Sequence, residues 1–356
     1  MKKSINQLLA LTLLVGLALT GCIRKTNDDV SDSEKQLDHL VILEVFHTGS
    51  YFKTGEVKKK DGTVVDYAYT DARNKYIKIY NPTDKEMYLD KLALVTSYFG
   101  STEPLIFVEA SEDFRESFMA VSSIIYFPGN GTQYPIKPGE VKLLTAWAGD
   151  YTKPILDADG DEASKANPES FDFTGVTSFQ WVTAEQMESH ADLSDYPANP
   201  AVPYMVPAYP VDGEKAFTFS QSQTIALVKF DRDELSNDKI NSHIKNFKLT
   251  VGTHGGGSAN VDRTALVIPN SAIIDAVTIA PTERFLTTPV GKKIDAGAFA
   301  TIPYVETNAI VAKRSGFLGK AMRRKHDGKK YVDDNNSTSD FEIVKAGTMT
   351  PDPLKP

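Results

Sequence analysis

A mainly β fold of the sandwich type is what this sequence predicts, and three observations predict it. Apolar runs of strand length recur along the chain, each closed by Gly, Pro, Asn or Asp. The clearest of them alternate apolar and polar residues with the period of a strand. Helical signals are few.

The elements follow in order. Leu40 to Phe46 (LVILEVF) is a nearly continuous apolar run, ended by Thr48-Gly49-Ser50. In KYIKIYNPTDKEMYLDKLALV, Lys75 to Val95, Ile77 and Ile79 point to one face while Lys78 and Tyr80 point to the other. This places Ile79 in the core and Lys78 at the surface, where Lys78→Asp is expected to be nearly neutral. Asn81-Pro82-Thr83-Asp84 must turn, because Asn bonds its own backbone and Pro fixes φ and removes a donor. Leu89 to Val95 returns as a second strand. Short β-like runs follow at Leu105 to Val108 and Ile124 to Phe127, the latter closed by Pro128-Gly129-Asn130-Gly131. Pro138-Gly139-Glu140 launches Val141 to Trp147, and Gln223 to Phe230 and Ala272 to Val277 complete the set. One helix is predicted at Thr183 to Ala191, with Thr183 as N-cap and Gln186 as its capping-box partner.

The 356 residues, 41% of them hydrophobic, suffice for a sizeable core. Lys2 and Lys3, an apolar run from Leu8 to Thr20 and Leu19-Thr20-Gly21-Cys22 read as a secretory signal with a lipobox. A run of thirteen residues is too short to span about 30 Å of hydrocarbon. Residues 1–21 are thus a lipoprotein signal peptide, and Cys22, the sole cysteine, is the acylated N-terminus, bearing palmitate-type chains. Lipidation leaves no thiol for a disulfide, a nucleophile or a metal. Residues 22–38 form the lipidated N-terminus and a polar tether, leaving 39–356 as the folded domain. Ile23 favours sorting to the outer membrane, and the acidic run Asp28-Asp29 and Asp32-Ser33-Glu34 favours display at the cell surface. Losing Lys2 and Lys3 makes the formal charge of −8 two units more negative, which argues against a nucleic-acid partner.

Four features bear on chemistry. His254-Gly255-Gly256-Gly257 is similar to an oxyanion loop, but no Gly-x-Ser-x-Gly elbow accompanies it, so a plain loop is expected. Asp157, Asp159 and Asp161 offer hard oxygen ligands for weak calcium binding. Glu162 and Pro168 stand where an EF-hand needs Gly and an acid, so a solvated acidic loop is favoured, and Asp333-Asp334-Asn335-Asn336 is read as a turn. The six histidines, at 39, 47, 190, 243, 254 and 326, show no paired metal-ligand spacing. Lys320, Arg323, Arg324, Lys325, His326, Lys329 and Lys330 make one basic cluster, readable as an anion-binding surface or as a solvated edge strand that blocks edge pairing.

The runs LVILEVF, KYIKIYNPTDKEMYLDKLALV, IKPGEVKLLTA, SQTIALVKF, IIDAVTI and KAMRRKHDG resemble, in their order, the lamin tail domain, an immunoglobulin-like β-sandwich. The resemblance covers the core strands and leaves inserts near 148–216, 232–270 and 280–316. It departs from that pattern at Lys78, where Glu is frequent, and at Ala93. The whole chain resembles the Bacteroidetes lipoprotein family of unknown function DUF4876 through its NPTD turn, Ala201 to Tyr204 (AVPY), Ile294 to Gly297 (IDAG) and the closing segment Arg323 to Phe341. Neither resemblance implies catalytic residues.

The expected function is that of a non-enzymatic outer-membrane lipoprotein, a binding or interaction module without cofactor, whose long loops meet an outer-membrane transport or assembly protein. The alternative is a ligand- or metal-scavenging lipoprotein that partners a TonB-dependent receptor; an envelope hydrolase ranks below both. Trp181, Tyr196, Tyr204, Tyr209, Arg323 and Arg324 are the expected binding surface. Five prolines between Tyr196 and Pro210 pre-order that stretch for recognition, and a short Gly-Ser link there is expected to leave the sandwich folded.

Overall fold

The structure is a computed structural model and describes residues 37–347 apart from 59–61, 63, 72–73, 109–113, 157–161, 165–169, 183–198, 210–216, 218, 253–256, 282–283 and 303–318. In chain order the strands are β1 (Val41–Phe46), β2 (Ser50–Lys58), β3 (Val64–Asp71), β4 (Tyr76–Tyr80), β5 (Met87–Tyr88), β6 (Ala93–Ser97), β7 (Ile106–Phe107), β8 (Phe118–Tyr126), β9 (Pro135–Ile136) and β10 (Val141–Thr145). There follow β11 (Ile155–Leu156), β12 (Glu162–Ser164), β13 (Phe179–Gln180), β14 (Val206–Tyr209), β15 (Thr224–Val228), β16 (Ile244–Gly252), β17 (Ser258–Pro269), β18 (Ile273–Pro281), β19 (Phe299–Ile302), β20 (Lys320–Arg324) and β21 (Phe341–Lys345).

Two sheets carry most of these strands and form a β-sandwich. The first runs β13-β10-β4-β1-β20-β21, and the second β19-β18-β15-β6-β8-β17-β16-β7. One edge of β8 is shared, with β17 along Phe118 to Val121 and β14 along Ile124 to Tyr126. Ile42, Ile77, Ile79 and Leu144 of the first sheet meet Leu94, Ile125, Ile225, Leu227 and Val277 of the second in the main core. Each such aliphatic side chain contributes roughly 1.5–3 kcal/mol when fully buried.

The strand that ends at the Asn81 turn behaves as predicted up to a point. Asn81 Oδ1 accepts from Thr83 N (3.0 Å) and Thr83 Oγ1 (2.7 Å), and its Nδ2 donates to Lys85 O and Ile136 O, both at 2.8 Å. Its own backbone N–H and carbonyl bond Glu140 and Gly139, so the two predicted turns brace each other. Lys78 departs from the prediction: it is 4% exposed, and its Nζ lies 3.0 Å from the fully buried Glu44. Both faces of the first sheet are covered. Val41, Leu43, Tyr80, Val141 and Tyr331 pack on its outer side with Leu37, which stood in the expected tether.

The three expected inserts are woven into the sandwich. Phe173, Phe179, Trp181 and Met205, from 148–216, belong to the main core. β16 and β17, from 232–270, form a long hairpin that extends the second sheet. From 280–316, β19 adds a parallel edge to β18, and Val290 packs on the outer face. The predicted helix Thr183 to Ala191 lies outside the described residues.

Candidate functional site

At one end of the second sheet β6 begins and β8 and β15 finish, since Ala93 pairs with both Tyr126 and Val228. Three connections meet there. In the turn before β6, the Asp90 carboxylate accepts from the N–H groups of Gly131 (3.1 Å), Gln133 (2.9 Å) and Tyr134 (2.7 Å), fixing the loop after β8. Burial pushes this carboxyl up, but the three N–H groups hold it below the usual carboxylate range. Gly129, at φ +106, cannot be replaced cheaply, because a Cβ would stand 2.1 Å from Asp90 Oδ1. Lys91 adopts φ 65, a left-handed conformation that costs a non-glycine residue about 1–2 kcal/mol. After β15, Asp231 caps the 3-10 turn Arg232–Leu235 by accepting from Asp233 N at 3.0 Å.

These loops and Val206 of β14 enclose a cavity of about 610 Å³. Its apolar lining comes from Phe127, Pro128, Val206 and Phe230, and its charged lining from Lys91, Lys229, Arg232, Asp231 and Asp233. The three cations form no ion pair among the described residues. Tyr126 also lines the cavity. It is 3% exposed, and its hydroxyl has no hydrogen-bond partner among the described residues. Burial pushes the phenol pKa up, as does the charge of Asp231, while Arg232 opposes them. The hydroxyl therefore stays protonated and is a donor without an acceptor. An unpaired buried hydroxyl costs about 1–3 kcal/mol. The site can hold an organic molecule rich in acceptors; the sequence signals for it were a Gly-rich turn and the charged run Asp231-Arg232-Asp233, which look like ordinary loop ends.

The residues singled out from sequence are dispersed. Trp181 is 3% exposed and packs against Phe217 and Phe219, so it is core rather than binding surface. Tyr204 is half-buried, and its hydroxyl accepts from Asn199 N. Tyr209, also half-buried, sits opposite Ile124 and packs on the outer face of the second sheet. Tyr196, Asp157, Asp159 and Asp161 lie outside the described residues, as does His254, whose segment links β16 to β17. Among the described residues no three His, Cys, Asp or Glu side chains come together as a metal site.

Arg323 and Arg324 are likewise corrected. β20 is interior to its sheet, between β1 and β21, rather than a solvated edge. Arg323 Nε donates to Glu44 at 2.5 Å, alongside Tyr76 Oη and Lys78 Nζ on the other carboxylate oxygen. Arg324 is 1% exposed and donates to both oxygens of Asp275, at 2.8 and 2.7 Å. Asp275 belongs to the opposite sheet and also accepts from Ile42 N, so this ion pair ties the two sheets together. Asp333 stands 3.1 Å from Arg324, and His39 closes the group 3.0 Å from Asp333. The hydrogen bond to Asp333 raises the His39 pKa to about 9, against a lowering by burial. Arg324 thus ties the two sheets together, while Arg323 braces β20 to β1 within the first sheet.

The comparisons with known proteins agree with this architecture. A family model described as a protein of unknown function, DUF4876, matches residues 137–348. Among solved structures, a DUF4876 family protein from Bacteroides thetaiotaomicron is similar in fold, with a TM-score of 0.54 and 19% identity over 85% of this chain and 70% of that one. No curated protein matches the chain.

Proposed function

The chain belongs to the DUF4876 family, and from that premise we propose that it is a non-enzymatic lipoprotein of the outer membrane that binds a small organic ligand in the loop-end cavity. One observation carries the reading: the loop-end cavity sets an apolar side beside three cations that form no ion pair among the described residues. A rigid sandwich with a preformed cavity that sets convergent polar groups beside an apolar side is a usual construction of a binding site. Three lining cations suit acceptor-bearing molecules rather than metal ions, which favours a ligand-binding over a metal-scavenging lipoprotein. Cys22 would anchor the domain, and delivery to a transport protein of the same membrane would be its use. The lipobox and tether support that address.

The test is thermal stability across a library of saccharides, organic acids, amino acids and nucleotides. It is run on the wild type, on Val206→Trp, which fills the cavity, and on Lys229→Trp, which obstructs its exposed rim. A compound that stabilises the wild type and neither variant supports the reading. No stabiliser, or stabilisers that act equally on all three proteins, would overturn it.

A further inference from the structure

We propose that the cavity takes a polyhydroxylated organic acid with a single negative charge, its carboxylate held by Lys229 and Arg232 and its hydroxyl groups by Asp231 and Asp233. This rests on the reading of the cavity as a binding site.

Charge is the first argument. Lys91, Lys229 and Arg232 against Asp231 and Asp233 leave the lining with one net positive charge, which one carboxylate balances. A phosphate dianion would over-compensate it and face two carboxylates at close range. Donor and acceptor inventory is the second. An ionised carboxylate only accepts, so Asp231 and Asp233 ask for hydroxyl or amine donors on the ligand. Asp231 already accepts one backbone N–H and keeps lone pairs for another donor. Arg232 presents a planar fork that matches a carboxylate.

Shape is the third argument. Phe127, Phe230 and Val206 give the cavity an apolar side that suits the C–H face of a ring. Its volume of about 610 Å³ exceeds that of one hexose ring and suits an acid of about two rings. Lys91, held in its strained turn, is placed on the same lining.

The experiment is calorimetric titration of the mature chain with a uronate disaccharide, the neutral disaccharide of the same linkage and a hexose phosphate. The uronate is expected to bind at least about tenfold more tightly than either of the others. Lys229→Gln and Arg232→Gln, at exposed positions where the fold is not at stake, should each weaken it about tenfold. Equal binding of the neutral disaccharide would overturn the charge argument, and tighter binding of the hexose phosphate would overturn the singly charged acid. If no probe binds while the library still yields a stabiliser sensitive to Val206→Trp, this inference fails and the cavity reading stands. If every stabiliser is indifferent to Val206→Trp, the cavity reading itself fails.

Discussion

Arg324 shows how much a single side chain holds in this fold. It takes both oxygens of Asp275 from the opposite sheet, donates to the Ile42 and Val332 carbonyls and lies over the Phe341 ring. Arg324→Leu leaves Asp275 buried without its cation, so a loss of about 3–5 kcal/mol is expected in denaturant melts. Lys78→Asp, neutral by the alternation argument, would set a second carboxylate beside the buried Glu44 and is now expected to destabilise by several kcal/mol, as is Ile79→Asp. His39 gives a pH signature. Its folded pKa, about 9, lies above the ordinary imidazole value. The stability it contributes is therefore complete below about pH 6.5 and is lost as pH rises through about 9. Melting temperatures of the wild type and His39→Gln, compared across that window, should converge at its alkaline end.

At the scale of elements, β14 departs most from the sequence reading. Five prolines between Tyr196 and Pro210 suggested a surface loop, yet Val206 to Tyr209 pairs with β8, and Met205 is in the main core. Proline is admissible there because β14 meets β8 on one side and neighbours no other strand on its other side in the described sheet order. Replacing 196–210 with a Gly-Ser link is therefore expected to lower the melting temperature, as followed by circular dichroism, and to open the cavity wall at Val206. Strands with strong alternation and a flanking turn, such as β4 and β15, were legible. β16 carries the same signal in Phe247, Leu249 and Val251, alternating with Lys248 and Thr250, but it fell in an insert that the lamin-tail resemblance does not cover. Two-residue strands such as β13 carry no period at all, so only the packing of Phe179 and Trp181 reveals them. Asp275 and Arg324 were each visible in sequence, in IIDAV and KAMRR; that they meet across the sheets was not, because pairing between distant segments leaves no local pattern.

For the whole molecule, the lipobox calls for a lipid anchor and the loop ends of the second sheet form a cavity. Cys22→Ser is expected to remove the protein from the membrane fraction or leave its signal uncut; a variant still anchored with the signal removed would refute the lipid anchor. The sandwich is closed by buried charge on one sheet and across both, which keeps the loops at the far ends of β8 and β15 free to carry a site. That cavity was illegible in sequence because its members, Lys91, Tyr126, Val206 and Arg232, come from four separate segments. The most direct measurement is the Arg232→Gln variant, melted without ligand and titrated with the uronate disaccharide. Arg232 is exposed and forms no ion pair among the described residues, so replacing it should leave the melting temperature unchanged while weakening the ligand about tenfold. A fall of several degrees in the unliganded protein, or undiminished binding, would contradict the account.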